Sequence, residues 1–306
     1  MKLGAALWLP AGAAVLAAAT GALFAGAAWA ALFFYLFAWC GSLLCLAGLQ
    51  GAVLGGSFLE EPRRLARMAA LSVPWWLLFE AANLRLRNWS YEGLPPSLWV
   101  RWCGYALAFA TVLPAVLECA RLLERVLGNA RVAPMPCLLG RRARGYALAL
   151  GLAFAILPLL WPRLFFPLVW GAVFLLGEPW LAEYKPERSW LSALAQGRPA
   201  PALSLLLSGA ACGLLWELFN YWSGGRWRYS VPWPAGPKLF EMPWAGYLGF
   251  PPFALECGSY WGMIETLEER LNKPTKTALV LALVALSLAV FVGIDTHTVT
   301  RFTAWP

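Results

Sequence analysis

The chain is poor in the residues that soluble enzymes usually depend on. Charged side chains make up 13% of its 306 residues, about half the share of a soluble domain. It has one histidine, His297, and one aspartate, Asp295, which nearly excludes His-based metal sites and Ser-His triads. Seven cysteines include no Cys-x-x-Cys, and most lie in apolar runs. They read as small buried hydrophobes rather than a disulfide or metal framework. Gly-rich phosphate loops, zinc spacings, Gly-x-Ser-x-Gly elbows and heptads are absent, so no metal or cofactor is expected. The net charge of +8 comes without a basic-aromatic arrangement of nucleic-acid type, and basic loops in a membrane protein set orientation.

What fills the chain instead is apolar. Hydrophobic residues reach 60%, and runs of roughly 20 apolar residues, the span of a bilayer core, recur along the whole length. The expected fold is all-α, a polytopic membrane bundle of nine helices near 4–26, 30–55, 66–84, 97–120, 144–161, 163–181, 200–222, 244–265 and 276–294. Lys2 before an apolar run and Ala28-Trp29-Ala30 also have the look of a signal peptide; the duplication described next argues for keeping the first helix. If the N-terminus is cytoplasmic, sixteen of the 24 Lys and Arg fall on the cytoplasmic side, the bias expected of an inner-membrane protein with its C-terminus outside.

Several polar and aromatic motifs occur twice in the same order. Leu77-Leu78-Phe79-Glu80-Ala81-Ala82-Asn83 returns as Leu214-Leu215-Trp216-Glu217-Leu218-Phe219-Asn220, and Trp89-Ser90-Tyr91 as Trp227-Arg228-Tyr229. Trp102-Cys103-Gly104-Tyr105 returns as Trp244-Ala245-Gly246-Tyr247, and Pro114-Ala115-Val116-Leu117-Glu118-Cys119 as Pro252-Phe253-Ala254-Leu255-Glu256-Cys257. Two four-helix repeats, 1–127 and 143–270, follow, joined by a basic linker at 128–142 and trailed by a last helix and tail at 271–306. Four spans per repeat put both copies in the same orientation, as parallel repeats around a shared site.

The candidate acids are Glu80, Glu217 and Glu256. Glu80 and Asn83, like Glu217 and Asn220, sit three apart and share a helix face. A carboxyl group within a membrane is a functional candidate by default, and the amides would orient it or meet a substrate. The alternative is that Glu and Asn cap loop backbone or pair with Arg85, Arg87, Arg226 or Arg228 just outside. Those four arginines are also candidates for an anionic head group. Trp89, Tyr91, Trp227 and Tyr229 lie in Pro-rich loops, 85–101 and 223–243, which are too rich in aromatics for flexible linkers. They are expected to fold back as caps, or to form an aromatic belt. Glu118 has Arg121 one turn on, an ordinary pair; Glu256 has no obvious local partner. Pro114 and Pro251-Pro252 should disturb the helix above each acid. Glu241 has no counterpart in the first copy. Asp295 and His297 stand at the end of the last helix, near the same rim.

The order of an acid-x-x-Asn, a Trp-x-Tyr and a Gly-Pro-rich entry to a Glu-bearing helix resembles the heptahelical carotenoid cyclases and the small membrane terpene cyclases. The matching positions are Glu217, Trp227, Tyr229, Gly249 and Glu256. The resemblance covers some 60 residues of the second repeat, and Phe250-Pro251-Pro252-Phe253 stands where the carotenoid cyclases have Pro-x-Glu-Glu. It implies protonation of an isoprenoid by a carboxylic acid between aromatic faces. In overall layout the chain looks like a bacterial polytopic inner-membrane protein. Three functions follow from these readings: a pocket for an apolar lipid or isoprenoid with possible cyclase or isomerase chemistry, a transporter with a carboxylate-lined path, or a structural or assembly subunit.

Overall fold

Apolar runs of this length bury their backbone hydrogen bonds within themselves, and helices are what they form. The computed structural model describes residues 3–233 and 236–303; Lys2, used above, and two positions of the 223–243 loop lie outside them. In chain order the helices are α1 (Leu3–Phe24), α2 (Ala28–Leu54), α3 (Pro62–Leu86), α4 (Leu98–Ala110), α5 (Val112–Leu127), α6 (Arg141–Leu160), α7 (Pro162–Phe165), α8 (Ala172–Tyr184), α9 (Trp190–Ala195), α10 (Ala200–Trp222), α11 (Phe250–Arg270) and α12 (Lys273–His297). Among the described residues, seven helices are long and apolar enough to cross a membrane. Helices α3 and α11 have comparable length but carry more charge.

Three expected spans are broken. The 97–120 segment divides at Thr111, with Pro114 in the first turn of α5. The 163–181 segment holds a 3-10 stretch, Phe166–Gly171, in which Trp170 leaves helical geometry. The 244–265 segment begins as a 3-10 stretch, Trp244–Gly249, and α11 starts only at Phe250. Pro251 and Pro252 therefore open α11 rather than kink it, at positions where a missing N–H leaves no helix bond unmade.

The polar loops contain a small sheet that the helical reading of the sequence did not include. Strand β1 (Trp89–Leu94) is flanked by β2 (Arg226–Tyr229) and β5 (Val299–Phe302), and a separate ribbon joins β3 (Lys238–Leu239) to β4 (Met242–Pro243). β1 runs antiparallel to β2 and parallel to β5. Burial alternates along β1, so Trp89 and Tyr91 share its inner face. Gly93 has φ +70 and lies against the Gly224 carbonyl, a place for a residue without Cβ. Beneath the sheet, one core cluster runs through α2, α3, α4, α5, α10, α11 and α12. Of the seven cysteines only Cys212 and Cys257 are buried, while Cys40, Cys103 and Cys137 are exposed. This corrects their reading as buried hydrophobes.

Candidate functional site

Helix α3 ends where Arg87 takes a left-handed conformation, φ 56, which turns the chain back along the helix. Asn83 makes that turn hold. Its Oδ1 accepts from the backbone N–H of Asn88 at 2.8 Å and of Trp89 at 3.2 Å, and its Nδ2 donates to the Trp89 carbonyl at 2.8 Å. The fold-back delivers Trp89 and Tyr91 to the acid one turn earlier. Glu80 Oε1 accepts from the Trp76 indole at 2.9 Å, the Trp89 indole at 3.1 Å and the Tyr91 hydroxyl at 2.5 Å. Burial first, and Glu80 next, push the Tyr91 phenol well above its ordinary range, so it stays a donor.

The second copy repeats the arrangement with fewer bonds. Asn220 accepts from the Trp227 N–H at 2.8 Å and donates to its carbonyl at 2.9 Å. Glu217 Oε1 accepts from the Tyr229 hydroxyl at 2.7 Å and the Trp227 indole at 3.3 Å. Burial and then Glu217 raise the Tyr229 phenol well above its usual range. Among the described residues Glu217 Oε2 has no partner. Two changes account for the difference: Gly213 stands where Trp76 gives Glu80 Oε1 a third donor, and the Trp227 indole turns to the Tyr229 hydroxyl at 2.9 Å where the Trp89 indole reaches Glu80 Oε2 at 3.3 Å. Both asparagines bind strand backbone rather than the carboxylates.

The two copies meet across the strand ladder, where Trp89 faces Tyr229 and Tyr91 faces Trp227. Behind these rings lies a cavity of about 210 Å³, walled by Trp89, Tyr91, Trp227 and Tyr229 from both motifs, with Trp216 and Glu217. Glu80 is not in the wall; its three donors are. Tyr35 reaches the wall from α2, its ring edge-on to Trp227 with centroids 5.2 Å apart.

The deeper acids lie outside the wall. Glu118 joins three helices: it accepts from Gln50 Nε2 at 2.9 Å, pairs with Arg64, and has Arg121 at 3.7 Å. Glu256 Oε1 accepts from the Val173 N–H at 2.9 Å, satisfying a backbone donor in the first turn of α8 that has no partner within the helix. Its Oε2 has no partner among the described residues.

Of the four candidate arginines only Arg226 and Arg228 come together, on the Glu92 carboxylate. Arg226 lines the cavity but gives Nε to Glu92 at 2.8 Å. Arg228 bonds Glu92 at 2.6 Å and Glu241 at 3.1 Å, which gives Glu241 its partner. Arg85 and Arg87 are exposed and outside the wall. Asp295 joins the rim through Arg101, in a two-bond pair at 2.7 and 2.6 Å; His297 is exposed.

Sequence reasoning passed over several of these groups. The strands carried a signal, since Trp-x-Tyr in both loops is a period of two. Buried Glu178 carried none: it accepts from Ser189 at 2.7 Å, Ser259 at 2.8 Å and the Leu191 N–H at 3.2 Å, pinning the loop after α8. Gln50 does the same for the loop after α2 through the Phe58 N–H at 3.0 Å.

Fold and site together define a helical bundle with long apolar helices and an internal pocket of aromatic rings and hydrogen-bonded acids. The chain matches no protein-family model, no curated protein and no solved structure.

Proposed function

We propose that the duplicated polar sets act first as a lock, at one end of a nine-span membrane bundle built from two parallel repeats, 1–127 and 143–270. Each Asn clips a strand to its own helix, and the strands then pair with each other. The ladder from Trp89↔Tyr229 to Glu92↔Arg226 is the observation that carries this reading. Such a device suits a structural or assembly subunit. The test is a double-mutant cycle on detergent-purified protein. Asn83→Ala and Asn220→Ala each strand buried backbone groups and cost about 2 kcal/mol or more. If the clips act as one lock, the double variant loses clearly less than the sum. Full additivity ends the proposal.

A second reading is favoured by one atom, Glu217 Oε2, unpaired on a residue that lines the aromatic cavity. In this reading the cavity binds an apolar lipid or isoprenoid near the outer leaflet. The cyclase resemblance would make Glu217 the acid: its proton passes to an alkene carbon, leaving a carboxylate and a carbocation held by ring faces. Glu80 suits that role less, because donors surround it and it stands outside the wall. Glu118 and Glu256 also lie outside the wall, so this cavity supplies no path between the two layers of acids for a transporter. Native mass spectrometry of the gently purified protein checks the second reading. A stoichiometric apolar adduct is expected, and a bare chain under those conditions counts against it.

A further inference from the structure

At the end of α10 opposite the strand ladder, a second cavity of about 320 Å³ gathers positive charge. Arg121 and Arg125 reach its wall from the later turns of α5, Arg131 from the linker and Arg198 from the loop before α10. The linker is tied in place there. The Val132 N–H donates to the Gly197 carbonyl at 3.1 Å, and the Met135 N–H to the Ala195 carbonyl at 2.8 Å. Gly197 has φ +76, and a Cβ there would run into the Val132 carbonyl, so the join needs glycine. Backbone bonds thus keep Arg131 and Arg198 on one wall. Against four arginines that wall sets a single acid, Glu124. Arg121 has Glu61 at 3.1 Å, outside the wall, and Arg198 donates to the neutral amide of Gln196 at 3.0 Å. Among the described residues Arg125 and Arg131 have no acceptor.

Like charges held together repel, and an anion among them relieves the repulsion. A guanidinium fork matches phosphate oxygens two at a time. A phosphate has oxygens enough for several arginines, where a carboxylate has two. The space lies at the lower end of the range for small-molecule sites, so it has room for a phosphate and the group that carries it. We propose that this pocket binds a phosphate-bearing ligand through Arg125, Arg131 and Arg198. Ala200, in the wall, shares a stripe of α10 with Leu203 and Leu207. Those two are 43% and 47% exposed and form an apolar track for the chain of a lipid whose head group fills the pocket. Basic pockets between membrane helices bind such head groups. A soluble diphosphate meets the same arginines without the track. The site is separate from the aromatic cavity and independent of both readings above.

The test uses the purified full-length protein in detergent, stripped of lipid, and three probes: phosphatidylglycerol, phosphatidylcholine and pyrophosphate. Binding is read by native mass spectrometry and from the shift in Tm. Phosphatidylglycerol is expected to bind more tightly than phosphatidylcholine, whose choline offsets the phosphate charge. In the double variant Arg125→Gln, Arg131→Gln its affinity should fall about tenfold or more, as two charge-assisted hydrogen bonds are lost. Arg141→Gln, Arg142→Gln removes the same charge from exposed arginines outside the wall and should change binding little. Equal losses in the two double variants would mean diffuse attraction to a basic surface and overturn the pocket. If neither lipid is preferred, pyrophosphate decides. Binding that only the first variant loses keeps the phosphate assignment and makes the ligand soluble, and no binding overturns the site. If the first double variant does not fold, Arg131→Gln alone, in the linker, supplies the comparison.

Discussion

Ser90 stands opposite Arg228 in the strand ladder, and Arg228 is the residue that fills the place of Ser90 in the second copy of the motif. A residue paired with its own counterpart marks a local two-fold axis. Around that axis Trp89 meets Tyr229 and Tyr91 meets Trp227, so the same two residue types form both pairs. The axis also shows where symmetry is broken. Arg226 and Arg228 have Asn88 and Ser90 as counterparts, and the single acid facing both arginines is Glu92.

That asymmetry has a pH signature. Burial pushes the Glu92 carboxyl up, but hydrogen bonds from Arg226 and Arg228 outweigh it and hold the group below its usual range. A depressed folded-state pKa contributes stability above the unfolded value, about 4.3, and that stability is lost as pH falls through the folded value. Thermal scans of purified protein should therefore show Tm falling as the medium is acidified below about pH 4.3. Glu92→Gln should start lower at neutral pH and fall less over the same window. An identical acid dependence in both proteins would remove Glu92 from the account.

Glu118 holds α2, α3 and α5 together through Gln50, Arg64 and its own helix. Glu118→Ala takes the carboxylate from Arg64 and one of two acceptors from Gln50, whose Nε2 keeps the Glu118 backbone carbonyl at 2.8 Å, and a loss of this kind costs about 1–3 kcal/mol. Glu118→Gln keeps an oxygen for Gln50 and loses only the charge. The expected order of Tm in detergent is wild type, then Gln, then Ala. If Ala and Gln are equal, the ion pair with Arg64 is the whole contribution and the Gln50 bond adds nothing.

The helices were legible in the sequence because a run of apolar residues states its own length. Breaks were partly legible: Pro114 and Pro251-Pro252 marked the right turns, but proline in a first turn and proline inside a helix look alike until the start of the helix is known. The repeated acids were legible as a site because polar groups stand out in an oily background. Their partners were not. Trp76 and Trp170 look like belt residues in the sequence, yet one donates to Glu80 and the other stacks on Phe79 at 4.8 Å. Gln50, Glu178 and the Arg101–Asp295 pair depend on contacts between distant segments, which no local pattern encodes.

Arg101 and Asp295 make the longest of these ties. Asp295 also accepts from the Trp102 indole at 2.9 Å and the Tyr105 hydroxyl at 3.0 Å. The guanidinium is 7% exposed and the carboxylate 12%. β5 follows the same helix end and pairs with β1. Arg101→Lys keeps the charge but loses the forked geometry. It should loosen the last strand before it unfolds the protein, so hydrogen exchange at Val299–Phe302 should rise while the amides of α3 and α10 stay protected. Exchange rising equally everywhere would mean that the pair supports the whole bundle instead.

The basic linker offers a direct test of orientation. Cys137 is exposed and lies among Arg131, Arg141, Arg142 and Arg144, the densest cluster of positive charge in the chain. Such clusters stay on the cytoplasmic side because moving them across the membrane is unfavourable. Cys40 and Cys103 are exposed as well, but both fall within long apolar segments, where a water-soluble reagent reacts poorly because it needs a thiolate. A Cys40→Ala, Cys103→Ala background therefore leaves Cys137 as the main target for an impermeant maleimide. Intact bacterial cells expressing this variant should show little labelling, and opened cells should show strong labelling. Strong labelling of intact cells would place the linker outside, turn the charge bias against the proposed orientation, and move the aromatic cavity to the cytoplasmic leaflet.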